Sequence, residues 1–380
     1  MENPGFDASV TTPIDSIRPF VHTDAEAVAG LFQTVMAASD APPPPGLADY
    51  FRSHFLDSPF ADPEIPSLVC ASSDGGIDGF IGVAVQKFRF ENNELRAAIL
   101  GTLMARDHAS SPMTGARLLK KAFAGAQDVT LSETAGDASL AMWKQLRGSV
   151  LDRHSLTFVR VLRPARFALD TLAQRIGAAR LFAPLAGMLD RRAGRKPGPL
   201  RWTGLPADFR VGVEAKPIDS NAFSALAADF LSRDTVVPIW SEDTLNRVVT
   251  EAMDKPPFGQ PHLCAVVTRT GKAIGGFLFH FAGEGPARLV EVLHAPGQAG
   301  PVLDALFAHA NALGAASVQG RTTPALFDAL LSRRTLFFHD SASVIDTGNP
   351  ELLTAFQEGR APFNGLVGER WTRLIGGSFS

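Results

Sequence analysis

At 380 residues and 40.5 kDa the chain is long enough for two or three domains of ordinary size. Hydrophobic residues make up 45% and charged residues 20%, enough apolar side chain for a core in each half, which excludes an extensively disordered chain. The net charge of −3 gives no general drive toward nucleic acid, yet Leu151–Arg201 carries eleven Lys and Arg against three Asp, so the middle of the chain is a basic island.

Met1–Asp15 is rich in Pro, Gly, Ser and Thr without a hydrophobic period, and reads as a loose tail over residues 1–13 with order beginning near Ile14. It carries Glu2 and Asp7 instead of a basic segment followed by an apolar one, and no run of about 18 apolar residues occurs anywhere. These signs predict a cytoplasmic protein. Cys70 and Cys264 stand alone, without CxxC spacing, so neither a disulfide framework nor a zinc site is expected.

From Asp24, a plausible N-cap, the apolar residues Ala27, Val28, Leu31, Phe32 and Val35 recur at helical spacing. Pro42–Pro45 stops that helix, and Leu47–Phe55 predicts a second one. Three strands follow, Ser67–Ala71, Gly79–Phe90 and Leu95–Ala105, joined by turn chemistry at Asp74-Gly75-Gly76 and Glu91-Asn92-Asn93. A polar loop, Asp107–Thr114, leads into a helix from Gly115 closed by Gly125. A strand, Asp128–Ser132, and a helix, Ala138–Leu146, complete the first half.

The second half repeats this order at a spacing of roughly 190 residues. Phe209–Glu214 reads as a strand, then Ala222–Leu231 and Asp243–Met253 as helices. His262–Arg269, Gly275–Phe281 and Ala287–Leu293 read as three strands. Val302–Leu313, Ala316–Gly320 and Pro324–Leu331 read as helix, strand and helix. The expected architecture is α/β (α+β): two lobes, each a mixed, mostly antiparallel twisted sheet flanked by helices. Lobe one covers residues 14–162, a basic helical linker 163–206, and lobe two 207–380.

In this order the chain resembles the GNAT superfamily of acyl-CoA-dependent N-acyltransferases in a tandem, two-lobe bacterial form. The resemblance is carried by Ile17-Arg18-Pro19-Phe20 with Asp24–Val28, Gly79–Val83, Ser110–Leu119 and Ala138–Gly148, and more loosely by Gly275-Gly276-Phe277, Leu289–Leu293 and the helix beyond Gly300. It implies acetyl-CoA as co-substrate, without a metal. The family's signature loop reads Arg or Gln, two residues, Gly, one residue, then Gly or Ala, and its backbone N–H groups at a helix N-terminus cradle the coenzyme pyrophosphate. Here the last glycine maps to Gly115, while Ser110 and Met113 stand where the basic residue and first glycine belong. The coenzyme-binding set is therefore Ala105, Ser110, Met113, Thr114, Gly115, Ala116 and Arg117. The coenzyme is therefore expected in lobe one, with the acceptor in the groove between lobes; in lobe two Gly297 and Gly300 offer only the outline of an equivalent loop, from which Pro301 removes one donor.

Acyl transfer to an amine needs a base for the ammonium proton, an oxyanion donor and an acid for the departing thiolate. The tyrosine that often supplies the acid in the family is missing: the one tyrosine is Tyr50, and the matching positions hold Trp143 and Phe327. Asp107 and His108 follow the third strand of lobe one, and Glu133 ends the next. In lobe two Glu291 interrupts an apolar strand, where partial burial would raise its pKa toward base work; outward orientation is the other reading. His294 follows that strand. His339 and Asp340 are adjacent on a strand-like segment and so point apart.

The linker interleaves apolar residues with Arg163, Arg166, Arg175 and Arg180, fitting an interlobe helix or a surface lying on an anionic membrane. Arg191, Arg192, Arg195 and Lys196 suit phosphate, such as that of a cyclic dinucleotide. The leading expectation is an N-acetyltransferase acting on a primary amine, with a small-molecule or sugar acceptor such as an amino sugar of an exopolysaccharide or holdfast precursor. The alternative is a catalytically degenerate binding or regulatory protein that holds a nucleotide such as cyclic di-GMP or docks a partner. No nucleic-acid polymer is expected as a partner.

Overall fold

The structure, a computed structural model, describes residues 16–72, 75–106, 113–173, 204–205 and 211–379. The chain divides into two compact units, Met1–Ala84 with Leu100–Ala126 and Phe379–Ser380, and Val85–Ile99 with Gln127–Ser378.

In the first unit β1 (Ser16–Pro19) runs antiparallel to β2 (Leu68–Ala71), and β2 antiparallel to the start of β3 (Ile77–Phe90). Between β1 and β2 lie α1 (Ala25–Val35) and α2 (Pro45–Phe55). Pro45 opens α2 because the first helical position needs no N–H. Phe51 and Phe55 of α2 meet Phe80 of β3 edge-on, with ring centroids 5.5 and 5.4 Å apart. Asp24 precedes α1 as expected but does not cap it. The Arg18 guanidinium holds its carboxylate at 2.6 and 2.8 Å, and the remaining capacity goes to the Val21 N–H. The end of β4 (Asn93–Ala105) and α3 (Thr114–Phe123) also belong to this unit.

β3 and β4 continue into the second unit. There the end of β3 pairs with β9 (Val236–Pro238), and the start of β4 runs parallel to β5 (Val129–Ala135). After β5 come α4 (Asp137–Gln145), β6 (Ser149–Val150), β7 (Leu156–Val161) and α5 (Pro164–Ala173). The second repeat supplies β8 (Glu214–Pro217), α6 (Ser220–Leu231), α7 (Glu242–Met253), β10 (Gln260–Val267), β11 (Ala273–Phe281) and β12 (Pro286–His294). It ends with α8 (Ala299–Leu313), β13 (Ser317–Arg321), α9 (Pro324–Leu331), β14 (Leu336–His339), β15 (Ala342–Thr347) and α10 (Pro350–Gln357).

The second sheet has the order β14-β7-β13-β12-β11-β10-β8, antiparallel throughout except between β12 and β13. Two strands leave the repeat in which chain order places them. β7, from the first half, inserts between β13 and β14; β15, from the second half, inserts between β5 and β6. Each lobe's sheet is thus completed by a strand of the other repeat. The core beneath the second sheet gathers Phe277 and Phe279 of β11, Val302, Leu306 and Phe307 of α8, and Phe158 of the inserted β7.

One expected element moves. Of the strand placed at Phe209–Glu214, Phe209 and Arg210 lie outside the described residues, and among those described the ladder with β10 begins at Glu214 and runs to Pro217. Val211 and Val213 pack on the core as apolar side chains, outside any strand.

Candidate functional site

Two pairs of parallel strands part company in this fold. β4 and β5 are paired over Ala97–Ile99 and Val129–Leu131, and β12 and β13 over Pro286–Arg288 and Ser317–Gln319. Beyond Arg288, β12 carries a bulge: Leu278 faces Glu291 and Phe279 faces Leu289, so Val290 has no ladder partner on β11. The bulge turns β12 from β13 and opens a cavity bounded by Glu291 and His294 on one strand, Arg321 and Thr323 at the end of the other, and Asp234 and Asn364 nearby.

Glu291 occupies the bulged end of β12. Its carboxylate accepts the Val292 N–H at 2.9 Å and the Leu366 N–H at 3.0 Å. Burial pushes its pKa up to about 7; the two backbone donors pull the other way and the charges of Glu133 and Asp234 add to the rise. Asp234 is likewise raised by burial to about 7. Burial holds the neighbouring His294 imidazole below its ordinary value. Two carboxyls that titrate near neutrality line one cavity, an arrangement suited to proton transfer.

The other predicted carboxylate, Glu133, lies within β5 and is fully buried. One oxygen accepts the Glu369 N–H at 3.0 Å, and the other is 2.8 Å from the Arg370 Nε, close enough for an ion pair but without in-line hydrogen-bond geometry. Glu369 returns the contact, accepting from the Glu133 N–H, Ser132 and Thr134 at 2.7–2.9 Å. Burial raises the Glu369 pKa. Val129 and Ser317 open the two parallel ladders, and four residues further along stand Glu133 and Arg321, equivalent positions of opposite charge. Arg321 donates to the Glu133 carbonyl oxygen at 3.0 Å and to Ser155, Ser341 and Ser343. Burial lowers its guanidinium to about 10. The geometry commits Glu133 to the C-terminal segment and leaves Glu291 at a cavity.

No family model and no curated protein matches the chain. Solved structures are. A probable N-acyltransferase from Enterococcus faecalis V583, described as a conserved protein of unknown function, superimposes with a TM-score of 0.53 at 10% identity, covering 88% of this chain and 72% of that one. A GCN5-related glucosamine N-acetyltransferase region of a fungal multi-domain GH3 β-N-acetylglucosaminidase gives 0.50 at 12% identity, covering 91% of this chain and 40% of that one. The chain has the GNAT fold. Its two mostly antiparallel sheets are consistent with the two lobes the element order anticipated.

The GNAT signature loop can be compared in both lobes. Gly297 adopts φ of +73°, the left-handed conformation that favours glycine, three residues after His294 and two before Ala299. With Gly297 as the first glycine and Ala299 as the last small residue, lobe two keeps two positions of the pattern, and His294 takes the place of Arg or Gln. The register that starts from Gly300 conceals this match. Neither α8 nor α3 has a side-chain N-cap, whereas Asp219, Ser241, Thr323 and Asn349 cap α6, α7, α9 and α10. Arg333 sits over the first turn of α8 and is held by Asp304 at 2.8 and 2.9 Å. Backbone donors at an uncapped helix start, a left-handed glycine and a nearby guanidinium fit the pyrophosphate of a coenzyme.

In lobe one, Ala105 ends β4, Met113 precedes α3, and Thr114, Gly115, Ala116 and Arg117 form its first turn, with Thr114 and Gly115 buried. Met113, at the position of the missing glycine, still adopts φ of +65°, so the backbone shape survives the substitution at a steric cost of about 1 kcal/mol. Asp107, His108 and Ser110 lie outside the described residues, as does the basic cluster Arg191, Arg192, Arg195 and Lys196. Among the described residues no helix is long and apolar enough to cross a membrane, and no three His, Cys, Asp or Glu converge as a metal site.

Proposed function

We propose that the protein is an acyl-CoA-dependent N-acyltransferase that moves an acetyl group from acetyl-CoA to a primary amine at the splay of lobe two. The observation that carries this is Glu291: a carboxyl raised to about 7, on the bulged strand of a GNAT fold, at a cavity lined also by His294, five residues ahead of α8. Gly297, Ala299 and Arg333 would hold the coenzyme phosphates. Acyl-CoA would supply the activated acyl group. Glu291 would take the ammonium proton of the acceptor, whose nitrogen would attack the thioester carbonyl with Val290, which has no ladder partner on β11, as the candidate oxyanion donor. As the C–N bond forms the C–S bond would break, and coenzyme A would leave as a thiolate that takes the second proton released by the nitrogen.

An amino sugar is the acceptor class to try first, supported by the likeness to the glucosamine N-acetyltransferase region. The test is turnover of acetyl-CoA with glucosamine and simple amines by wild type and Glu291→Gln. Loss of activity by a factor of about 10² to 10⁴ with the melting temperature retained supports the assignment. Unchanged turnover in Glu291→Gln removes Glu291 as the base. A folded wild type that binds no coenzyme favours the binding-protein reading, for which the carboxylate's two backbone hydrogen bonds are a structural anchor.

A further inference from the structure

The second sheet carries a larger cavity of about 490 Å³, on the face of β12, β13 and β7 away from α8. Its floor follows the strand register. Arg288 faces Gln319, and Gln319 faces Val159; Ser317 stands at one end of this strip and Thr157 at the other. Three adjacent strands span about 10 Å, the length of a small polar molecule, and the volume lies within the usual range for small-molecule sites.

Several features mark this floor as made for a ligand. Ser317 is 1% exposed and Thr157 9%, yet neither hydroxyl has a hydrogen-bond partner. A buried hydroxyl left unpaired costs about 1–3 kcal/mol, a cost that a ligand accepting from or donating to it removes. The charges of the lining divide clearly. Arg370 is engaged by Glu133, and the Lys255 ammonium donates to the carbonyls of Thr372 and Ile375 at 2.7 and 2.6 Å. Arg288 has no carboxylate partner among the described residues. Its guanidinium lies over the Phe258 ring, 4.9 Å from the centroid, which fixes it while leaving its donors open. Asp170 and Asp340 supply negative charge to the same lining.

We infer that this cavity binds a small zwitterion, a primary amine that also bears a carboxylate or phosphate, with the anionic group on Arg288 and the hydroxyls of Ser317 and Thr157 on its polar body. The cavity shares Leu289, Val290 and Arg370 with the one beside Glu291, so the bound molecule is the acceptor of the proposed reaction. That role rests on the acyltransferase reading; the binding itself does not.

The experiment is calorimetric titration of the full chain with glucosamine 6-phosphate, β-alanine and, as the amine lacking an anion, glucosamine. At least one of the first two should bind about tenfold or more tightly than glucosamine, and which of them does distinguishes phosphate from carboxylate. Arg288→Gln should abolish that preference, and Ser317→Ala should weaken binding several-fold. Arg288 is exposed, so its replacement leaves the core untouched. Equal binding of all three amines, no binding of either anionic amine, or an unaltered preference in both variants would overturn the inference. Coenzyme A is titrated in parallel: its binding reports on the acyltransferase reading, so the two failures are told apart.

Discussion

At the scale of single residues, Glu291, the proposed base, ties the proposed chemistry to stability. Its pKa is higher folded than unfolded, so between about pH 4.5 and 7 the folded state keeps a proton that the unfolded state has lost. Stability should therefore fall as pH rises through that window, and Glu291→Gln should flatten the fall in a series of thermal melts. Activity runs the opposite way: kcat/KM should rise through about pH 7 as the carboxyl becomes a base. Lys255, 1% exposed and lowered by burial to about 7, has the reverse stability profile, with a cost present below pH 7 and relieved between pH 7 and 10.5. Gly365 shows how tightly the site is built. At φ of +70°, with the Glu291 carboxylate and the Val290 carbonyl where a side chain would begin, Gly365→Ala should destabilise by more than about 1 kcal/mol, measured by denaturant unfolding. That a carboxylate within Val290–Leu293 was worth attention could be read from the sequence, since it breaks an apolar run. The Arg370 pairing of Glu133 could not, because its partner lies more than two hundred residues away with no local pattern to announce it.

At the scale of elements, strongly periodic segments were legible and exchanged strands were not. The helices near Leu47, Val302 and Pro324 and the strand pair around Gly79 and Leu95 fall within a few residues of their predicted bounds. β7 escapes notice because Thr157 and Arg160 break its apolar run. The chain buries Arg160 regardless, satisfying its guanidinium with the carbonyls of Val161 and Gly204 at 3.0 Å, and burial lowers its pKa to about 10. Nothing local reveals that β7 pairs with β13 and β14. The exchange predicts that residues 1–162 alone will not form a cooperative fold, since β5 loses β15 and β7 loses both neighbours. A resolved amide spectrum and a sharp melt from that fragment would contradict this. Phe158, fully buried on the exchanged strand, makes the same case in the intact chain: Phe158→Ala should cost about 3–5 kcal/mol.

At the scale of the molecule, one order of elements occurs twice, and each copy has a parallel strand pair and a helix without a side-chain N-cap. The copies have diverged where chemistry would be expected to sit. Lobe one holds its left-handed loop position with Met113, while lobe two holds it with Gly297, six residues after Glu291. In the proposed reaction lobe two receives the coenzyme. The most direct test is calorimetric titration of coenzyme A into wild type, Gly297→Val and Gly115→Pro. The account predicts micromolar binding that Gly297→Val weakens at least about tenfold and Gly115→Pro leaves in place, with melting temperatures showing both variants folded. Binding lost only in Gly115→Pro would move the site to lobe one, and no binding by the wild type would contradict the acyltransferase account.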